Sequence, residues 1–540
     1  MSSGAPRTLL RWALAALLLQ LAAPQGRAPR YEMPEMQICE AWAGPVPVAM
    51  DHSMMDMGRR RAQAMDHSCM MATPQVRKYF IAAEVDEWDY APLGRDMVKD
   101  AEFAPPPAPL ADDGHAHDHS IGRRAQEAMD HSMHAGHAQH SAGMWMSHSP
   151  SSPMRIGRHY LKMVFREYTD HTFLTPKQRA AEDEHLGILG PSIRAEVCDT
   201  IQIVFKNKAP SGYPFSIHPH GVRYAKGHEG AHYADGTDMT GDHIMPGHCA
   251  YYSWDVPESA GPGPGDSSTK AWLYHGHVSE TGDTNAGLVG AIIIGRAGAT
   301  RTADRKPKDV DREFVTLFNI LDENDSPLLA ENAWMFLGLG AMDNATLNVL
   351  QMDSDFVESN QMHAINGYTY GNLPGLTMTE GEVVRWHVMG LGNQEDIHTP
   401  HWHGQTFVLG GGAGAGQRVD VVNILPATQL TVDATMENPG KWLFHCHVNH
   451  HIHGGMTALY TVNPCPTAPA SSCSSATPVE TPSDTRGELD RLSRRDDAIT
   501  AAMYGYGVVA LLSLVAWCLN QMIRDGAGCG GGKKSTEQRP

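Results

Sequence analysis

The strongest constraint on this chain is that it repeats itself on the scale of a domain. Ala271-Trp272-Leu273-Tyr274-His275-Gly276-His277 has a counterpart in Gly440-Lys441-Trp442-Leu443-Phe444-His445-Cys446-His447. These segments close two units of similar length, 158–296 and 312–463. Both units are built of short alternating apolar runs, such as Ile201-Gln202-Ile203-Val204-Phe205, separated by Gly, Pro, Asn and Asp. Period-two alternation broken by turn formers marks half-buried strands, and many such strands in series give a β-sandwich. The expectation is an all-β chain of two similar sandwiches. Tyr79-Phe80-Ile81-Ala82-Ala83-Glu84-Val85 reads as a further strand and extends the first domain to 77–296.

Histidine is concentrated where the two units agree. The clusters are His218-Pro219-His220-Gly221, His275-Gly276-His277, His398-Thr399-Pro400-His401-Trp402-His403-Gly404, and His445-Cys446-His447 followed by His451 and Met456. Side chains on a strand alternate between faces, so His445 and His447 point one way and Cys446 the other. With His398, the set Cys446, His451 and Met456 offers one thiolate, two imidazoles and a weak thioether, the donors of a blue-copper electron-transfer site. The pairs His218/His220, His275/His277, His401/His403 and His445/His447 offer eight imidazoles, which suits three more coppers. One strand would then join two metal sites back to back. His228, His232, His243 and His248 lie between clusters and read as solvated loop residues.

The flanks set the compartment. Arg7, Arg11 and the apolar run Trp12–Ala23 make residues 1–28 a secretory signal. Residues 498–523 carry no charge and, as a helix, are long enough for a bilayer core of ~30 Å, leaving 524–540 as a cytoplasmic tail. Residues 50–150 hold ten His and twelve Met, and Ala49-Met50-Asp51-His52-Ser53 recurs at 64–68 and 128–132. Such low-complexity sequence builds no core. It is expected as an N-terminal tail at 29–76 and a disordered insertion at about 105–153, with a linker at 297–311 and a Pro/Ser/Thr stalk at 464–497. A net charge of −19 argues against nucleic acid as a partner, since that needs a basic face. Cys198 with Cys249, Cys465 with Cys473, and Cys39 with Cys69 are candidate disulfide pairs, although spacing alone does not fix connectivity. Asn344-Ala345-Thr346 is a glycosylation acceptor.

Sequence around the clusters carries a family resemblance. Phe165-Arg166-Glu167-Tyr168-Thr169-Asp170, Gly187-Ile188-Leu189-Gly190-Pro191-Ser192, Ile217-His218-Pro219-His220-Gly221-Val222 and Glu358-Ser359-Asn360-Gln361-Met362-His363 resemble multicopper oxidases of the ceruloplasmin and hephaestin type. The resemblance implies two cupredoxin-like Greek-key domains and four coppers per catalytic unit. By it, the type 1 copper would sit on His398, Cys446, His451 and Met456, and the type 2 copper on His218 and His401. The type 3 pair would take His220, His275, His277, His403, His445 and His447, with His445, Cys446 and His447 as the catalytic electron path. Gly276 stands where the first domain would carry a type 1 cysteine, so a single blue copper is expected, in the second domain.

The same resemblance implies Fe(II) and O2 as substrates of a ferroxidase in iron uptake or homeostasis. An iron permease would be its partner, at a cell membrane, with a single span and the catalytic domains extracellular or lumenal. Glu358 and His363 match two positions of the resembling iron site, whereas Gln394 and His450 stand where carboxylates are expected. Cu(I) and phenols are alternative donors, and a copper-binding surface protein is the non-enzymatic alternative. The resembling proteins close six domains into a ring, which a homotrimer of this chain would rebuild.

Thioethers favour Cu(I) and imidazoles suit either oxidation state, so the His/Met tracts are expected to capture copper. Deleting residues 114–149 should lower copper loading at limiting supply and leave turnover per loaded enzyme unchanged. Metal analysis that finds equal loading would count against this.

Overall fold

The computed structural model describes residues 74–103 and 155–474, with breaks at 210–211, 235, 237–240, 338–343, 394–395, 412–415 and 467–469, together with Cys39 and Met146. The expected signal peptide, most of the N-terminal tail and of the His/Met insertion, the stalk beyond 474, the 498–523 span, the cytoplasmic tail and Gln394 lie outside these residues. Among the described residues no helix is long and apolar enough to cross a membrane.

In chain order the first unit contributes β1 (Val76–Asp89), β2 (Arg95–Asp96), β3 (Ala101–Glu102), β4 (His159–Tyr168), β5 (Ile193–Glu196) and β6 (Thr200–Asn207). It continues with β7 (His218–Pro219), β8 (Arg223–Tyr224), β9 (Cys249–Asp255), β10 (Thr269–His275) and β11 (Val289–Gly295). The second unit contributes β12 (Arg312–Asp322), β13 (Gln361–Ile365), β14 (Thr377–Thr379), β15 (Val383–Gly390) and β16 (Pro400–Trp402). Then follow β17 (Phe407–Leu409), β18 (Gln417–Val419), β19 (Gln429–Thr435), β20 (Gly440–Cys446) and β21 (Thr457–Asn463).

The strands make two sandwiches of one topology. Sheet β4-β1-β6-β9-β8 faces β5-β11-β10-β7, and sheet β13-β12-β15-β19-β17-β18 faces β14-β21-β20-β16. β1 runs parallel to β6 as β12 does to β15, and β5 runs parallel to β11 as β14 does to β21. Alternation sets the faces: Ile201, Ile203 and Phe205 enter the first core, while Val204 lies outside it with Phe80 and Phe173. The second core gathers Trp386, Trp402 and Phe444 around Cys446 and Met456.

The units differ between their outer strands. Where the first carries residues 104–154, the second carries helices Leu329–Phe336, Asn344–Leu350 and Ser354–Ser359, which the strand pattern did not foresee. Asn344 of the expected glycosylation site opens the middle one. Asp353 caps the last, its carboxylate accepting from the N–H groups of Asp355 and Phe356.

Cys249 is bonded to Cys39, and Cys465 to Cys473. The Cys198–Cys249 and Cys39–Cys69 pairings are thereby corrected. The β6–β9 register sets Cys249 opposite Lys206 and Asp255 opposite Thr200, so Cys198 lies at the far end of that sheet. Cys198 is itself disulfide-bonded.

Two kinds of contact hold the units together. Leu273, Val289, Ala291 and Ile293 of the first bury against Val315, Leu317 and Met389 of the second. Beside them Arg194 donates to Glu313 at 2.6 Å, and Glu313 also meets His387 at 3.0 Å and the Thr269 hydroxyl at 3.1 Å. Arg385, 1% exposed, donates to Asp433 of its own unit at 2.7 Å, to Asp309 of the linker at 3.1 Å and across to Ser268 of the first unit at 2.7 Å. Burial alone would raise the Glu313 carboxyl, but Arg194 and then His387 hold it well below the usual range. Its contribution is therefore present above the unfolded carboxylate pKa of about 4.3 and is lost as pH falls toward the folded value. Glu313→Gln should cost about 3–5 kcal/mol at neutral pH by stranding Arg194. In denaturant melts the deficit relative to wild type should shrink as pH falls below about 4.3.

Candidate metal centres

Strand β20 ends at Cys446 and pairs with β16, setting His401 opposite His445 and Pro400 opposite Cys446. The Cys446 side chain enters the core, while the His445 and His447 rings meet His401 at centroid distances of 5.4 and 5.6 Å. Cys446 Sγ lies 3.4 Å from His451 Nδ1 and 3.9 Å from His398 Nδ1, and those two nitrogens are 3.1 Å apart. The helix Asn449–His453 carries His451 back over the strand end. Its return is stitched by Met456 N–H to the His451 carbonyl at 2.9 Å and Cys446 N–H to the Met456 carbonyl at 3.1 Å. Met456 is fully buried in the same core.

Asp396 orients this centre. His398 Nε2 donates to its carboxylate at 3.0 Å, and the N–H of Ile320 donates to the same carboxylate at 2.7 Å. That bond leaves Nδ1 free to face Cys446, the outer support that metal-ligating histidines need. An acidic residue two positions before His398 was the available signal, and the sequence reading gave it no such role. Burial pushes the Cys446 thiol up, but hydrogen bonds from His398 and His451 outweigh it and bring it to about 6. The thiolate, which is the metal-binding form, is thereby favoured at neutral pH.

The eight remaining histidines form two quartets. In the first unit His275 lies opposite His218 across β10 and β7, as His445 lies opposite His401. His218 contacts His220, His275 and His277 at ring-centroid distances of 4.8 to 5.6 Å. His401 contacts His403, His445 and His447 at 4.9 to 5.6 Å. Backbone carbonyls fix the rings: Nδ1 of His218 donates to Glu229 at 2.8 Å, of His275 to Gly276 at 2.9 Å, of His401 to Asp420 at 2.9 Å and of His445 to Cys446 at 2.7 Å. Each of these rings keeps Nε2 for a ligand. Such backbone acceptors have no sequence signature. Burial lowers His218 and His445 to about 4 and His275 to about 3, which keeps them neutral at pH 7.

Gly276 occupies the position equivalent to Cys446. A Cβ there would lie 2.7 Å from Asp283 Cβ. The Asp283 carboxylate accepts from Val278 and Ser279 N–H, so the first unit fills this space with a turn and has no place for a cysteine donor.

Of the four candidate iron-site residues, Gln394 lies outside the described residues. His363 and His450 meet at 5.0 Å, and both group with His451. Glu358 is exposed at the end of its helix and is not part of that group. Of the loop histidines, His232 is exposed as expected, whereas His228, His243 and His248 are half-buried. His228 has its Nδ1 on the Tyr251 carbonyl at 3.0 Å, and His243 packs against His232 at 4.6 Å.

Residues 181–298 and 342–465 each match the multicopper oxidase family, and this chain is a member of that family. Within it, the chain is similar to mouse hephaestin, 44% identical over 307 residues that cover 57% of this chain and 25% of hephaestin. It is 37% identical to rat ceruloplasmin over 392 residues, covering 72% of this chain and 32% of the relative. Mouse ferroxidase HEPHL1 is 36% identical over 392 residues, 72% of this chain and 29% of the relative. The chain thus spans a quarter to a third of the length of these relatives. Copper is the family's cofactor, and the donors fit it. His220 and His275 bring their Nε2 atoms to 3.0 Å, and His403 and His445 theirs to 3.1 Å. Two imidazole nitrogens so close need a proton or a metal ion between them.

Cys446→Ser should abolish blue absorption in the copper-loaded protein while copper remains at the histidine quartets, since His445 and His447 turn away from Cys446 and the other quartet lies in the first unit. A visible spectrum that keeps its blue band would contradict the place given to Cys446.

Proposed function

We propose that this chain is a membrane-anchored copper oxidase that takes single electrons from Fe(II) and delivers them to O2, giving Fe(III) and water. The observation that carries this reading is the alternation on β20, which sets Cys446 in one donor cluster and its neighbours His445 and His447 in another. Copper would be held by His398, Cys446, His451 and Met456 to accept single electrons, and by the eight quartet histidines to bind and reduce O2. The chain supplies the rest. Cys446 links both clusters through a few covalent bonds. Asp396 fixes the His398 ring, and the buried Met456 and Phe444 keep water from the thiolate. Fe(II) as donor is supported by the relative named as a ferroxidase. The signal sequence and the 498–523 span would place both units outside the cell membrane, in position to pass ferric ion to an iron permease.

Three copies are part of this reading. Three coppers need both quartets face to face, yet the ring contacts of each stay within its own unit. His403 and His447 are exposed, and His218, His220 and His277 are half-buried. The contact between units within one chain runs elsewhere, through Leu273, Leu317, the Arg194–Glu313 ion pair and the hydrogen bonds of Arg385 to Ser268 and Thr269. We infer that the first quartet of one chain meets the second of the next, a head-to-tail interface that closes as a ring of three.

Co-expressing an inactive first-unit variant (His218→Ala with His220→Ala) and an inactive second-unit variant (Cys446→Ser) tests this. Some mixed interfaces would then pair two intact halves, so oxygen uptake on Fe(II) should return in the mixture. Uptake that never exceeds that of either variant alone would rule the arrangement out.

A further inference from the structure

The loop from β8 to β9 carries two histidines that electron transfer and O2 reduction do not use. His232 and His243 pack edge to face, with ring centroids 4.6 Å apart. His232 is exposed and His243 is half-buried. The Nδ1 of His243 is itself buried, with no hydrogen-bond partner among the described residues. Leaving such an atom unsatisfied costs about 1–3 kcal/mol, so a missing partner is indicated. Burial, and after it the neighbouring His232, lowers the His243 pKa, which leaves the ring neutral at pH 7 with a lone pair to give.

Both rings sit on arms of the loop that are bonded to the approach to the first quartet. Just before His232, the Glu229 carbonyl accepts from His218 Nδ1 at 2.8 Å, and the Gly230 carbonyl accepts from the Ser216 hydroxyl at 2.6 Å. Gly230 packs so closely that a Cβ there would lie 2.1 Å from the Ile217 carbonyl oxygen. Just after His243, Ile244 and Phe215 exchange backbone hydrogen bonds at 3.0 and 3.1 Å. On the same arm the Gly241 carbonyl accepts from the buried Tyr252 hydroxyl at 2.7 Å. The contact between His232 and His243 therefore joins two arms that each hold part of Phe215–His218.

We propose that His232 and His243 form a seat for a borderline divalent ion such as Zn(II), which ties the two arms together and so braces His218. Imidazole nitrogen suits zinc and its neighbours in the first transition row. Nδ1 of His243 would be one ligand and a ring nitrogen of His232 the second, with water completing the shell on the exposed side. An ion held in this way binds the folded chain at a geometry the unfolded chain lacks, so it stabilises the first unit by mass action.

Acylation of histidines with diethyl pyrocarbonate, read residue by residue by mass spectrometry on the copper-loaded full chain, tests the seat apart from the other histidines. Zn(II) should shield His232 in wild type, and that shielding should be lost in His243→Gln. Ca(II), which takes oxygen ligands, should not shield it. Zn(II) should also raise the thermal midpoint of wild type by more than that of His232→Ala, whose missing ring is an exposed one. A wild-type His232 that Zn(II) leaves reactive, shielding that survives in His243→Gln, shielding by Ca(II), or an equal rise in the two melts would overturn the proposal.

Discussion

The pleat of one strand governs this molecule. Because neighbours on β20 face opposite ways, Cys446 enters the core beside His398 and His451, and its neighbours turn toward His401. A slip of one residue would exchange the two faces and dismantle both donor sets at once. The register is held by bulk: Trp402 lies opposite Phe444 across β16 and β20, their rings stacked 5.0 Å apart, with Trp386 beneath. Aromatic packing in the core therefore fixes the coordinates of the metal donors.

Duplication supplies the rest of the architecture and also its incompleteness. Each unit repeats the pairing of two strands that presents four imidazoles, one of them buried and the other three half-buried or exposed. Divergence at one position decides which unit also carries a cysteine donor. Cys446 has the helix Asn449–His453 beside it to bring His451 back, whereas Asp283 crowds Gly276 and leaves no space for a side chain. The Arg194–Glu313 ion pair and the hydrogen bonds of Arg385 to Ser268 and Thr269 fix how the units of one chain are joined, and that junction lies away from both quartets.

Much of this was legible because metal chemistry is written in residue type and spacing. Four histidine clusters on alternating strands named the donors, and the shared ending of the two units gave the duplication. What escaped the sequence was carried by backbone or by return paths of the chain. The carbonyls of Glu229 and Asp420 that set the histidine tautomers leave no residue signature. The helices between β12 and β13 replace a segment whose counterpart in the first unit is low in complexity, so the repeat gave no guide to them. The Cys39–Cys249 bond depends on which end of β9 the cysteine occupies, which spacing does not report. His363 matched a family position, but its grouping with His450 and His451 rather than Glu358 depends on the turn at Gly454.

The central claim is that the oxygen-reducing centre is built between chains, from one quartet of each. Native mass spectrometry of the copper-loaded protein tests it most directly, because it reads subunit number and metal content together. The account predicts a trimer carrying a full complement of about four coppers for each chain, and separated monomers that keep only the copper at Cys446. A monomer carrying all four would contradict it.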